Sequence, residues 1–158
     1  MKKRNSFLFA TLIGVIIGAG TTFGLLGKSG NKIRELSDKH LELYLMMKQW
    51  VKVKQKGKSL SLYFEKAGYK KIAIYGMSYA GISLTEELKN TSIDVLYGVD
   101  INAENIISDI KVITPDEPLE KVDAIVVTAI FAFSVVKKML SEKIDCPIIS
   151  LEDIVFSL

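Results

Sequence analysis

The sequence predicts an α/β fold: a five-stranded parallel sheet in the order 3-2-1-4-5, preceded by one transmembrane helix and an amphipathic helical neck. Three observations carry this. Short strand-forming runs at 72–75, 95–99, 111–114, 124–128 and 147–150 are separated by turn residues and by segments with helical spacing. Strands that alternate with helices pair in parallel with helices on both faces, and right-handed crossovers then set the order. Finally, Phe7 to Leu26 is an uncharged run of 20 residues, and a helix of that length spans about 30 Å of hydrocarbon.

The anchor is assigned to residues 1–27. Met1-Lys-Lys-Arg-Asn precedes it, the basic start shared by signal peptides and membrane anchors. Gly18-Ala19-Gly20 is a poor cleavage site, and Phe23, Leu25 and Leu26 prolong the apolar run beyond it, so the segment is expected to be retained. Ala10, Gly14, Gly18 and Thr22 share a stripe at spacing four. Small residues let helix backbones approach closely in a bilayer, which predicts homo-oligomer formation through Gly14 and Gly18.

Residues 28–58 read as a hinge and neck. Asn31 is a fair N-cap, and Ile33, Leu36, Leu43, Met47 and Trp50 recur at helical spacing with His40 in the gap, predicting a helix over 32–54. Trp50 is expected to pack on the domain. Lys52, Lys54, Lys56 and Lys58 are expected on a solvated face, with anionic lipid or phosphate as the alternative.

The domain proper is assigned to residues 59–158. Ser59 is expected to cap a short helix over 60–66, ended by Gly68, with Leu62, Phe64 and Ala67 covering the sheet. Lys70–Asp100 then reads as strand, glycine turn, helix, strand and acidic residue, the layout of the first βαβ unit of a Rossmann domain. Gly76 ends the first strand, Ser78 stands as the N-cap, and Gly81 lets the helix lie close. Asp100 stands at the carboxyl end of the second strand, where an acidic residue can accept a ribose hydroxyl. The turn is Gly76-Met-Ser-Tyr-Ala-Gly81, so Ser78 replaces the middle glycine of G-x-G-x-x-G. A side chain there disfavours ordinary NAD binding, although a hydroxyl at a helix N-terminus can itself donate to an anion. A turn at 102–105 leads into a short helical segment and the third strand. Ala124–Thr128 is the plainest strand, 133–141 a helix with Val136, Met139 and Leu140 inward, and 151–156 a terminal helical turn. The crevice of such a sheet lies where the strand order reverses. Gly76, Met77, Ser78, Gly81, Asp100 and Thr128 are therefore the candidate ligand-binding residues.

Residues from about 59 onward resemble the small Rossmann-like domains of bacterial polysaccharide-biosynthesis proteins, among them the nucleotide-sugar-binding domains of sugar acyltransferases. IAIYGMSYAG, YGVD with Asn102, VDAIVVTA and CPIISLEDI carry the likeness, and the whole chain resembles small membrane-anchored proteins of this architecture. The resemblance implies a nucleotide or nucleotide sugar as ligand, polysaccharide-biosynthesis proteins as partners, and roles for Gly76, Gly81 and Asp100. Ser78 departs from the family's turn.

Composition narrows the function further. Net charge is +3, and no basic stripe interleaved with aromatics accompanies it, so nucleic acid is not expected. One cysteine, Cys146, and one histidine, His40, exclude an internal disulfide and a multi-histidine or cysteine-rich metal site. No nucleophile, base and acid converge on the predicted mouth, so no catalytic residue is assigned and a complete enzyme is not expected. Basic residues flank the anchor on both sides, leaving orientation balanced on charge alone. A nucleotide-type ligand and an unpaired thiol favour the cytoplasm, and the chain is read as a single-pass membrane protein with a cytoplasmic domain. The expected function is a tethered nucleotide or nucleotide-sugar binding module; the alternative is a scaffold whose Rossmann shape is vestigial.

Overall fold

A computed structural model describes residue 34 and residues 36–158 of the protein. The chain divides into two compact units, Met1–Leu41 and Glu42–Leu158. The anchor assigned to 1–27, with its Gly14/Gly18 stripe, lies outside the described residues. Among the described residues, no helix is long and apolar enough to cross a membrane. In the first unit, residues 36–41 are helical, and Leu36 and His40 are exposed.

The second unit begins with helix α1, residues 42–55, followed by α2 (Ser61–Ala67), β1 (Lys71–Tyr75), α3 (Tyr79–Leu88), β2 (Asp94–Val99), β3 (Val112–Ile113), β4 (Ala124–Val127), α4 (Phe133–Ser141), β5 (Ile148–Ser150) and α5 (Leu151–Phe156). The sheet is all parallel with the order β3-β2-β1-β4-β5, as the sequence predicts. Its register aligns the strand ends. Tyr75 pairs with Val99 and Val127, Val99 with Ile113, and Val127 with Ser150. The next residue along each chain, Gly76, Asp100, Thr114, Thr128 or Leu151, therefore stands at one carboxyl edge.

Both sheet faces are buried, which is why the central strands read as unbroken apolar runs. One core gathers Ile72, Ile74, Ala124 and Val126 with Leu84 and Leu88 of α3, Phe64 of α2 and Ile154 of α5. The other joins Ala73, Tyr97, Val99, Ile125 and Val127 to Val136 and Leu140 of α4. The β2–β3 half of this second face is covered by the 114–123 loop, where Leu119 and Val122 pack and the Tyr97 hydroxyl donates to the Glu120 carbonyl at 2.7 Å. Burial pushes the Tyr97 phenol up to about 12, with the nearby Cys146 and Glu120 adding to the effect.

Three local expectations need correction. The domain does not begin at 59: Met46, Trp50 and Val53 of α1 are buried in the first core, so the C-terminal half of the predicted neck belongs to the domain. Helical periodicity identifies a face that must be buried, but not the surface that buries it. Helix α2 starts at Ser61 with Leu60 as N-cap. Ser59 still accepts the Ser61 amide at 3.3 Å, while Ala67 is exposed and Leu60 takes the inward place. The four neck lysines are exposed, as expected of a solvated face, with Lys54 also pairing with Glu87 at 3.1 Å and Lys58 donating to the Leu158 carbonyl at 2.5 Å. Between β2 and β3 the turn expected at 102–105 forms as a 3-10 turn, Ala103–Asn105, but the short helical segment expected after it does not.

Glu87 ties the helices together. Its side chain is 8% exposed and accepts from the Trp50 indole at 2.5 Å, the Leu60 amide at 2.8 Å and the Ser59 hydroxyl at 3.2 Å. Burial alone pushes this carboxyl up. The bonds from Leu60, Trp50 and Lys54 outweigh it and hold Glu87 below the ordinary carboxylate range.

Candidate functional site

The switch point lies between β1, whose crossover through α3 leads to β2, and β4. Gly76 leaves β1 with φ +97°, a conformation that L side chains rarely adopt. A Cβ there would also stand 2.6 Å from the Thr128 hydroxyl oxygen. This turn reverses the chain into α3, and at Gly81 the helix lies so close that a Cβ would collide with the Gly76 carbonyl oxygen. Both glycines are thus required by the turn itself, independently of any ligand.

Asp100 occupies the position expected of it and already has two partners. Its Oδ2 accepts the Met77 amide at 2.8 Å, and its Oδ1 accepts the Asn102 amide at 2.9 Å. A carboxylate offers about four acceptor sites, so two remain for a ligand. The phenol of Tyr75 lies near enough to feel this charge. Burial first, and then Asp100, push it above its ordinary value.

Met77 departs from a simple phosphate cradle. Its amide belongs to Asp100, and its side chain is buried against Gly98 of β2, where a Cβ would meet the Met77 sulfur at 2.7 Å. Thr128 is buried too, its hydroxyl donating to the Gly76 carbonyl. These two side chains brace the turn from inside.

Ser78 is exposed and stands as the N-cap of α3, but its side chain makes no capping bond. The first intrahelical bond runs from the Ile82 amide to the Ser78 carbonyl at 3.0 Å. The amides of Tyr79, Ala80 and Gly81 precede it and have no partner within the helix, as at any helix start. They concentrate the positive end of the helix dipole. Of the six candidates, Gly76, Gly81, Asp100 and Thr128 meet at one turn with Met77 inside it, and Ser78 lies outside.

Sequence reading missed the Asp100–Met77 bond, Tyr75 and the apolar rim. Tyr79, at the start of α3, and Ile101, after β2, are 86% and 73% exposed. Tyr75 closes β1 after the apolar Ile72-Ala-Ile run and Tyr79 opens a helix, positions that already marked both as carboxyl-edge residues. Among the described residues, no group of three or more His, Cys, Asp or Glu side chains could hold a metal ion. Burial and then Asp145 push the Cys146 thiol up, away from the reactive thiolate. Comparison of the chain with protein-family models, curated proteins and solved structures gives no match.

Proposed function

We propose that the domain binds a ribose-bearing nucleotide or nucleotide sugar at the carboxyl edge of its sheet, as a membrane-tethered accessory module of surface-polysaccharide assembly. One observation carries the reading: Asp100, with two acceptor sites free, stands at the turn that opens α3, whose N-cap side chain leaves the helix start uncapped. The carboxylate suits sugar hydroxyls, and the amides of residues 79–81 suit a phosphate. Because Met77 gives its amide to Asp100, the phosphate contact begins beyond it. Ser78 and Tyr79 are both exposed at this helix start, so a hydroxyl is available to a phosphate and an aromatic ring to a planar base. The tether, cytoplasmic placement and polysaccharide role rest on the sequence alone.

Isothermal titration of residues 42–158 against UDP-, CMP- and adenine nucleotides tests the reading. Submillimolar binding to at least one, weakened in Asp100→Ala, is the expected result.

A second reading has its own observation. Met77 is buried beneath the turn and Thr128 is bonded to Gly76, so the turn is held by the chain's own side chains. A non-enzymatic scaffold would keep this arrangement and bind none of the panel.

A further inference from the structure

We infer that a second copy of this chain docks its α1 into a groove beside α3. The groove has a volume of about 620 Å³ and lies between the last turns of α3, the turn into β2 and residues 107–110. Ile82, Leu88, Ile93 and Ile110 give it apolar walls, and Ile107 on its rim is 96% exposed. It exists because the β2-to-β3 connection forms only a 3-10 turn. The helical layer over this face therefore has an open place beside α3, flanked by β2 residues such as Val95.

The chain also carries a helix face that fits such a place. Tyr44, Leu45, Lys48, Val51 and Lys52 recur at i, i+1, i+4, i+7 and i+8, one side of a helix. Tyr44, Leu45 and Val51 are 61%, 47% and 52% exposed, whereas Met46, Trp50 and Val53 turn inward. A chain's own α1 meets the other side of α3, where Val51 borders a cleft with Ser83 and Glu87, while Ile82 and Glu86 line the groove.

Charge selects a second copy as the occupant. Residues 43–58 contain lysines and no acidic residue, and Lys48 and Lys52 are exposed on the docking face. The groove carries Glu86, Asp94 and Asp109 against Lys89 alone, and Lys89 is already bonded to Asp109 at 2.7 Å. Opposite charges across the contact fix its register. Docked reciprocally, each chain's face in the other's groove, two copies close a two-fold dimer and cover both apolar surfaces. This contact is separate from the glycine stripe expected in the anchor and from the carboxyl-edge site.

The test is disulfide trapping between copies of the full-length chain in detergent. Two differently tagged versions, both Cys146→Ser, carry Val51→Cys or Ile107→Cys; they are mixed and oxidised. The expected product is a mixed dimer linked 51 to 107. Its yield should fall severalfold with Glu86→Lys in the groove copy and recover when Lys52→Glu is added to the partner copy. Val51 and Ile107 are exposed, so the variants should melt with the parent chain, which separates failed docking from failed folding. No mixed dimer, a dominant 51-to-51 product, indifference to Glu86→Lys, or a monomer whose groove takes up an apolar dye would overturn the inference.

Discussion

Gly81 sets how closely α3 can approach the turn that starts it. Any Cβ there meets the Gly76 carbonyl, a backbone atom that cannot swing aside. Gly81→Ala should therefore destabilise the domain by about 1–3 kcal/mol, the range for overpacking, read as a lower denaturant midpoint. Asp100 acts at the same scale. Replacing it with alanine leaves the partly buried Met77 amide without its acceptor, at a cost of roughly 1–3 kcal/mol. Asp100→Asn keeps one carbonyl acceptor and should cost less. Urea unfolding of both variants checks the order; equal losses would mean that the charge, and not the acceptor, matters. Sequence spacing placed Asp100 at a strand end and Gly76 at a turn. It could not show that the carboxylate closes onto an amide 23 residues away, because that bond depends on how far the turn folds back.

At the scale of elements, Glu87 is the point where α1 and the start of α2 are held to α3. Its carboxyl is depressed in the folded chain. The stability it contributes is therefore fully present above the ordinary glutamate value and is lost as pH falls through the folded one. Trp50, the one tryptophan, donates directly to Glu87, so its fluorescence should report this loss in acid. Glu87→Gln should flatten that acid limb, and an unchanged acid limb would show that other carboxylates dominate. The strands were the most legible elements, since burial on both faces leaves apolar β-branched runs such as Ala124-Ile-Val-Val. Helix α4 was legible in its bounds and its inward residues, because Val136 and Leu140 sit one turn apart on a single face. Helix α1 was legible as a helix, while its place in the core was not. Leu36 and His40 belong to the same periodic stripe as Trp50 and remain exposed.

At the scale of the molecule, α1 makes the folding unit longer than the Rossmann-like pattern suggests. Met46, Trp50 and Val53 are all buried, and full burial of one large apolar side chain contributes about 1.5–3 kcal/mol. A fragment of residues 59–158 should unfold at a clearly lower denaturant concentration than residues 42–158, or bind hydrophobic dye as a loosened state. Equal midpoints would show α1 to be dispensable. Tyr97 contributes to the alkaline limit. Its phenol titrates at about 12 in the fold against 10.0 ordinarily. The stability this adds is present below the ordinary value and is lost as pH rises toward the folded one. Tyr97→Phe should remove that part of the alkaline unfolding.

The ligand site is the central claim, and titration calorimetry of residues 42–158 with UDP-, CMP- and adenine nucleotides tests it most directly. The account predicts submillimolar binding of at least one nucleotide, weakened by roughly 1–3 kcal/mol in Asp100→Ala, the range for a hydrogen bond to a charged group, and altered but not abolished in Ser78→Gly. Absence of binding across the panel, or binding indifferent to Asp100→Ala, would contradict it.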